Sequence, residues 1–155
     1  MVTRDLSRSL AQHAFFRGMD EKHLVFLAGC AKNVLFDQGT FIFREGEKAG
    51  VFYLLRYGQV ALEVHGPRKG QIRFQSLHED DVLGWSWLFP PYTWHFDARA
   101  LSLVRAFAFD GVCVREKCDA DHELGYQLMS RFAEVMVGRL QAARLQCLDL
   151  YGAPA

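Results

Sequence analysis

Between Val34 and Leu77 the chain is a series of short β-type runs cut by turn signals, and no other feature constrains its fold as tightly. Val34-Leu35-Phe36, Thr40-Phe41-Ile42-Phe43, Val51-Phe52-Tyr53-Leu54-Leu55, Val60-Ala61-Leu62-Glu63-Val64 and Ile72-Arg73-Phe74-Gln75-Ser76-Leu77 are rich in β-branched and aromatic residues. Asp37-Gln38-Gly39, Glu45-Gly46-Glu47, Tyr57-Gly58-Gln59, Gly66-Pro67 and Glu79-Asp80-Asp81 separate them. Short strands at regular spacing with Gly-rich turns predict a sandwich or barrel. Ala98 to Phe109 adds one or two strands, with apolar alternation at Val104-Arg105-Ala106-Phe107-Ala108-Phe109.

Helical patterns flank this region. Arg4 to Phe16 places Leu6, Leu10, Ala11 and Ala14 on one face, and Gly18 breaks it. Asp20 is placed to cap a second helix with Leu24, Leu27, Ala28 and Ala31 on its apolar face, ending at Asn33. Asp110 caps a short helix to Cys118, and Asp119 to Tyr151 reads as a long one. Leu124, Leu128, Phe132, Val135 and Met136 form its stripe, continued by Leu140, Ala143 and Leu148. About thirty helical residues span on the order of 45 Å, more than a small barrel needs as cover. A homodimer through Leu124, Leu128, Phe132, Val135 and Leu140 is therefore expected. The alternative is a break near Gly138 that folds the helix back on its own barrel. The organisation is one α+β, mainly β, domain over 1–155: N-terminal helices 1–32, barrel 33–109 and C-terminal helices 110–151, then a fraying tail.

A chain of 155 residues suits one domain. Lys+Arg and Asp+Glu both number 18, which argues against direct nucleic-acid binding through bulk charge. No run approaches the roughly 18 apolar residues of a membrane span, and no signal-peptide core follows Met1, so cytoplasm is the default. Cys30, Cys113, Cys118 and Cys147 are scattered, as expected of reduced, mostly buried thiols.

All three tryptophans fall within Gly84-Trp85-Ser86-Trp87-Leu88-Phe89-Pro90-Pro91-Tyr92-Thr93-Trp94-His95-Phe96-Asp97-Ala98-Arg99. Pro90-Pro91 stops any helix begun at Ser86, giving a strand, a short helical turn, a bend and another strand. Such rings either line a concave pocket or fill the end of a β-core, and spacing alone weighs the two equally. Asp97 and Arg99 share a strand face, and a salt bridge to each other or to neighbours is their commonest role. The functional alternative has Arg99 meeting an anionic ligand group. His95 is a candidate pocket donor or metal or haem ligand, although a lone histidine among aromatics is more often structural. Cys113, Cys118 and His122 invite a metal or redox-sensor reading, without a Cys-x-x-Cys pair or a fourth ligand. No nucleophile, acid/base pair or Gly-rich nucleotide loop is present, so no enzyme is expected.

Several stretches resemble the cyclic nucleotide-binding domain, of the bacterial catabolite-activator/FNR type. Phe15-Phe16-Arg17-Gly18-Met19-Asp20 with Leu24, Leu27 and Ala28 is similar to the opening of such domains. Phe41-Ile42-Phe43-Arg44-Glu45-Gly46-Glu47 resembles their "I-x-x-E-G-E/D" turn, and Phe52 to Val60 resembles "F-Y-x-L-x-x-G-x-V". Asp81-Val82-Leu83-Gly84 resembles the approach to the phosphate-binding cassette. The resemblance implies an antiparallel jelly-roll barrel with two N-terminal helices and a long C-terminal one. It also implies a small-molecule-sensing regulatory domain. Its ligand would contact Gly84, Trp85, Ser86, Trp87, Leu88, Trp94, His95 and Arg99. The chain departs from the family where the ligand's polar groups are held. Trp85 stands where a ribose-holding glutamate is expected, and Trp94 near the phosphate-binding arginine. Binding of cyclic AMP or cyclic GMP is therefore expected to be weak or absent, since a phosphate buried without a cation carries a large desolvation cost. No cofactor is certain; a cyclic nucleotide or another planar molecule is the candidate. A ligand-free dimerisation scaffold is the other alternative. The helix-turn-helix that follows the long helix in transcription factors of this family does not fit between Leu140 and Ala155, so either a stand-alone sensor domain or output through a partner protein is expected.

Overall fold

The computed structural model describes residues 2–68 and 70–152. Lys69, in the basic turn, and the expected tail at 153–155 lie outside them. Helix α1 (Val2–Gln12), a 3-10 turn (Ala14–Phe16) and α2 (Glu21–Ala28) come first. Eight strands follow: β1 (Ala31–Phe36), β2 (Phe41–Phe43), β3 (Val51–Tyr57), β4 (Val60–Gly66), β5 (Gly70–Leu77), β6 (Val82–Leu83), β7 (Asp97–Ala100) and β8 (Val104–Asp110). A second 3-10 turn (Ser86–Leu88) lies between β6 and β7, and α3 (Gly111–Ala120) and α4 (His122–Gly152) close the chain. The strands make two four-stranded antiparallel sheets, β1-β8-β3-β6 and β2-β7-β4-β5, which is the expected jelly roll.

Local chemistry accounts for these boundaries. Asp110 caps α3 as expected, accepting from the Cys113 N–H at 3.0 Å. Asp20 stands at the N-cap of α2, but its side chain makes no capping bond. That helix ends at Ala28 rather than Asn33, because β1 pairs with β8 along its whole length, from Ala31↔Phe109 to Phe36↔Val104. Gly58 turns β3 into β4 at φ +93°, where a Cβ would lie 2.1 Å from the Leu103 carbonyl oxygen. Only glycine fits there, a physical reason for the "F-Y-x-L-x-x-G-x-V" pattern.

Two apolar clusters form the core. One lies between the helices and the first sheet and includes Leu10, Phe16, Phe52, Trp87, Phe109 and Phe132. The other lies inside the barrel and includes Phe43, Leu62, Leu83, Trp94 and Val104. The first cluster corrects the expected dimer stripe. Leu124, Leu128 and Phe132 are buried in the chain's own core and Val135 packs against it, so these four present no face to a partner. α4 nevertheless runs unbroken through Gly138 for 31 residues. Beyond the core it carries exposed Leu140, Leu145 and Leu148.

The cysteines also depart from expectation. Cys30 and Cys113 form a disulfide, with Cα atoms 5.7 Å apart. The Asp110 N–H donates to the Cys30 carbonyl, which brings the start of β1 beside the first turn of α3. Cys118 is half-buried and Cys147 exposed, and both are free. Among the described residues no helix is long and apolar enough to cross a membrane.

Candidate functional site

The stretch after β6 sends its three tryptophans to three different places. Gly84 leaves the strand at φ +94°, and a Cβ there would lie 2.4 Å from the Trp94 ring. The absent side chain is what lets that indole lie against the backbone. Trp94 stacks on Phe43 with centroids 3.6 Å apart and planes 5° off parallel, and is 4% exposed. Its backbone is tied to the Glu45-Gly46-Glu47 turn: the Trp94 N–H donates to the Glu47 carbonyl at 2.9 Å, and the Gly46 N–H to the Trp94 carbonyl at 2.8 Å. Trp94 therefore fills the inside of the barrel.

Trp87, in the 3-10 turn, points the other way. It is fully buried, 4.8 Å from Phe52 and 5.4 Å from Phe132. Its indole N–H is buried without a partner, while its carbonyl accepts from Arg115. Trp87 thus joins the cassette to α4. Trp85 is the one that meets a cavity. It is half-buried under the Arg139 guanidinium, 5.0 Å from ring centroid to Cζ. The cavity beside it measures about 280 Å³ and is bounded by Leu62, Phe74, Phe96, Met136 and Leu140. Pocket and core plug are thus both present, on different rings.

Residues 33–121 match the family description "cyclic nucleotide-binding domain". The chain belongs to the cyclic nucleotide-binding domain family. Over 119 residues, 69% of this chain, it is 33% identical to the cyclic nucleotide-gated ion channel 18 of Arabidopsis thaliana, spanning 17% of that protein's length. A solved structure from Geobacter metallireducens, named for cyclic nucleotide binding, shares 28% identity at TM-score 0.77, covering 86% of this chain and 97% of that one. The sensor domain of the transcriptional regulator DNR from Pseudomonas aeruginosa shares the fold at 20% identity and TM-score 0.71, with 90% and 93% covered.

This cyclic nucleotide-binding domain does not gather all the residues its sequence nominates. Arg99 is committed to Glu63: its Nε and Nη2 donate to the two carboxylate oxygens at 2.9 and 3.0 Å, across β7 and β4. That carboxylate raises the guanidinium pKa further and balances the charge that a ligand anion would need. Asp97 does not pair with Arg99; it is buried and accepts from the Glu45 N–H at 2.8 Å. His95 is exposed and lines neither of the two cavities at Arg139. Ser86 opens the 3-10 turn half-buried, and Leu88 packs on the helix-side core.

The metal constellation does not assemble either. Cys113 is bonded to Cys30, and His122 is exposed at the start of α4. Burial, then Asp119 and Asp121, push the Cys118 thiol above its usual range, which disfavours the thiolate a metal needs. Metal-type side chains converge instead at Asp20, His23 and Glu123.

Of the residues that border the cavity, Arg139 and Phe74 escaped sequence reasoning as site residues, whereas Met136 belongs to the α4 stripe and Phe96 to the aromatic stretch. Arg139 reads there as one polar position between apolar ones, and nothing local marks it as the residue facing Trp85.

Proposed function

We propose that this chain is a small-molecule-sensing regulatory domain whose ligand sits in the Trp85 cavity and is not cyclic AMP or cyclic GMP. The observation that carries this reading is Trp94. The position nearest the family's phosphate-binding arginine holds an indole buried against Gly84 and Phe43. The nearest cation in sequence, Arg99, is spent on Glu63. Losing a charge-assisted contact to a buried anion costs on the order of 2–5 kcal/mol, or roughly thirty- to several-thousand-fold in affinity.

The output runs through α4. Leu140 and Ala143 border the ligand cavity and also an apolar groove on the exposed helix face with Cys147 and Leu148. A ligand that moves this part of α4 changes the face presented to a second copy of the chain, the homodimer partner in this reading. Disulfide pairing of Cys113 with Cys30 speaks against the metal-sensor alternative. Nothing in the site offers an acid/base pair or nucleophile for catalysis.

Intrinsic fluorescence tests the proposal, since Trp85 borders the cavity. A panel of planar metabolites and cyclic nucleotides is titrated against the native protein. Saturable quenching by a planar compound, with none by micromolar cyclic nucleotide, supports it. No response to any compound favours the scaffold reading.

A further inference from the structure

Arg139 is a half-buried cation without a carboxylate partner among the described residues. Among the described residues its guanidinium is within ion-pair distance of no Asp or Glu. It donates from Nη2 to the Val82 carbonyl and lies over the Trp85 ring. A guanidinium has five N–H donors, so most of its capacity is unused by the protein. Other arginines near the site differ. Arg99 is ion-paired with Glu63 through Nε and Nη2, and Arg131 donates to the carbonyls of Phe15, Arg17 and Gln127. Burial pushes the Arg139 pKa down to about 10, opposed by the more distant Asp81, so the group remains charged at neutral pH. A half-buried guanidinium with unused donors offers an anion a charge-assisted contact.

Two cavities meet at Arg139, and their charge decides between them. One, about 410 Å³, is bordered by Asp80, Asp81 and Glu134 as well as Arg131, so it repels an anion from its Arg139 side. The other is the Trp85 cavity, whose lining holds no carboxylate and where Arg139 is the charged residue. Its walls are mostly aromatic or aliphatic, Phe74, Phe96, Trp85, Leu62 and Leu140 among them, with Gln75 and Gln146 as neutral polar groups. Phe74 and Phe96 meet edge to face, 5.6 Å apart, so the two rings form an aromatic corner of the cavity.

We propose that Arg139 is the anion anchor of this cavity, and that the ligand is a small aromatic acid with one carboxylate or phosphate. The acid group takes the free edge of the guanidinium, and the ring lies among Phe74, Phe96 and Trp85. The cation that the cassette lacks is thereby supplied from α4. Ligand charge then pulls directly on the helix that carries the exposed leucines. The inference rests on the sensing reading above and assigns its ligand class.

Matched pairs test it. Aromatic carboxylates such as indole-3-acetate, phenyl phosphate, and the corresponding neutral amides are titrated by calorimetry against the native protein and R139Q. The glutamine keeps a donor toward the Val82 carbonyl and removes the charge. In the native protein the acids bind about ten- to a hundredfold more tightly than the amides, the range of a charge-assisted contact. In R139Q that preference falls to within about threefold, while the ligand-free protein melts within a few degrees of native, because the charge serves the ligand rather than the fold. Carboxylate against phosphate affinity identifies the acid group. Acids and amides binding alike, or R139Q failing to fold, overturns Arg139 as an anchor and leaves the cavity reading standing. Binding of cyclic AMP alone overturns both, and so does a panel with no binder.

Discussion

Replacing Trp94 by alanine should open the barrel. The indole is 4% exposed, stacked 3.6 Å from Phe43 on one face and pressed on the Gly84 backbone at its edge. Large-to-small substitution of a buried Trp or Phe costs about 3–5 kcal/mol, and the cost is highest where the neighbours cannot collapse. Here one neighbour is main chain and another is a stacked ring held by β2, so about 4 kcal/mol is expected. With a urea m-value of about 2 kcal/mol/M, the unfolding midpoint falls by about 2 M. Far-UV circular dichroism against urea measures it. Indole added at about a hundred times its dissociation constant should return about 2.7 kcal/mol by filling the space. Trp85→Ala, which removes a half-buried ring beside an existing cavity, should cost roughly half as much or less. If Trp94→Ala costs under about 1 kcal/mol, or indole gives no rescue, Trp94 is not the filler and the argument about the cassette collapses.

Further predictions concern buried His13 and helix α4. His13 is buried, its Nε2 donating to the Leu55 carbonyl at 2.9 Å and its Nδ1 accepting from the Phe15 N–H, and burial lowers its pKa below 6.5. The unfolded chain then binds the extra proton first, so this contribution is complete above about pH 6.5 and is lost as pH falls through the lowered folded value. Urea midpoints measured from pH 7.5 to 5 should decline in the native protein, and a flat profile would contradict buried neutral His13. For assembly, Leu140→Glu with Leu148→Glu should convert dimer to monomer by light scattering without lowering the melting temperature by more than a few degrees. Phe132→Glu should instead unfold the domain, since that ring is 1% exposed. A native monomer would refute the assembly.

The barrel was legible in sequence because its strands are short and its turns carry their own chemistry. Gly58 and the Asp110 cap act within a few residues of where they sit. Boundaries shifted where pairing at a distance intervened: Ala31 continues the apolar face of α2 in sequence, yet β8 draws residues 31–33 into a sheet. The same limit governed the stripe on α4. Leu124, Leu128 and Phe132 have the spacing of a dimer seam, and periodicity cannot say whether the surface they meet belongs to another chain or to Phe15 and Phe52 of the same one. At the site, the aromatic cluster was evident, but its division was not. Trp85, Trp87 and Trp94 go to cavity, helix-side core and barrel core because Gly84 and the 3-10 turn reorient the chain between them. The Glu63–Arg99 pair, the Cys30–Cys113 disulfide and Arg139 over Trp85 all join residues far apart in sequence, where no local pattern could reveal them.

Calorimetric titration of the native domain with cyclic AMP, and separately cyclic GMP, tests the central claim most directly. With Trp94 buried where the family's cation is expected and Arg99 held by Glu63, no saturable heat should appear at micromolar concentration. Saturable one-site binding of either nucleotide at micromolar concentration would contradict the account, and would mean that the cassette opens and finds a cation there.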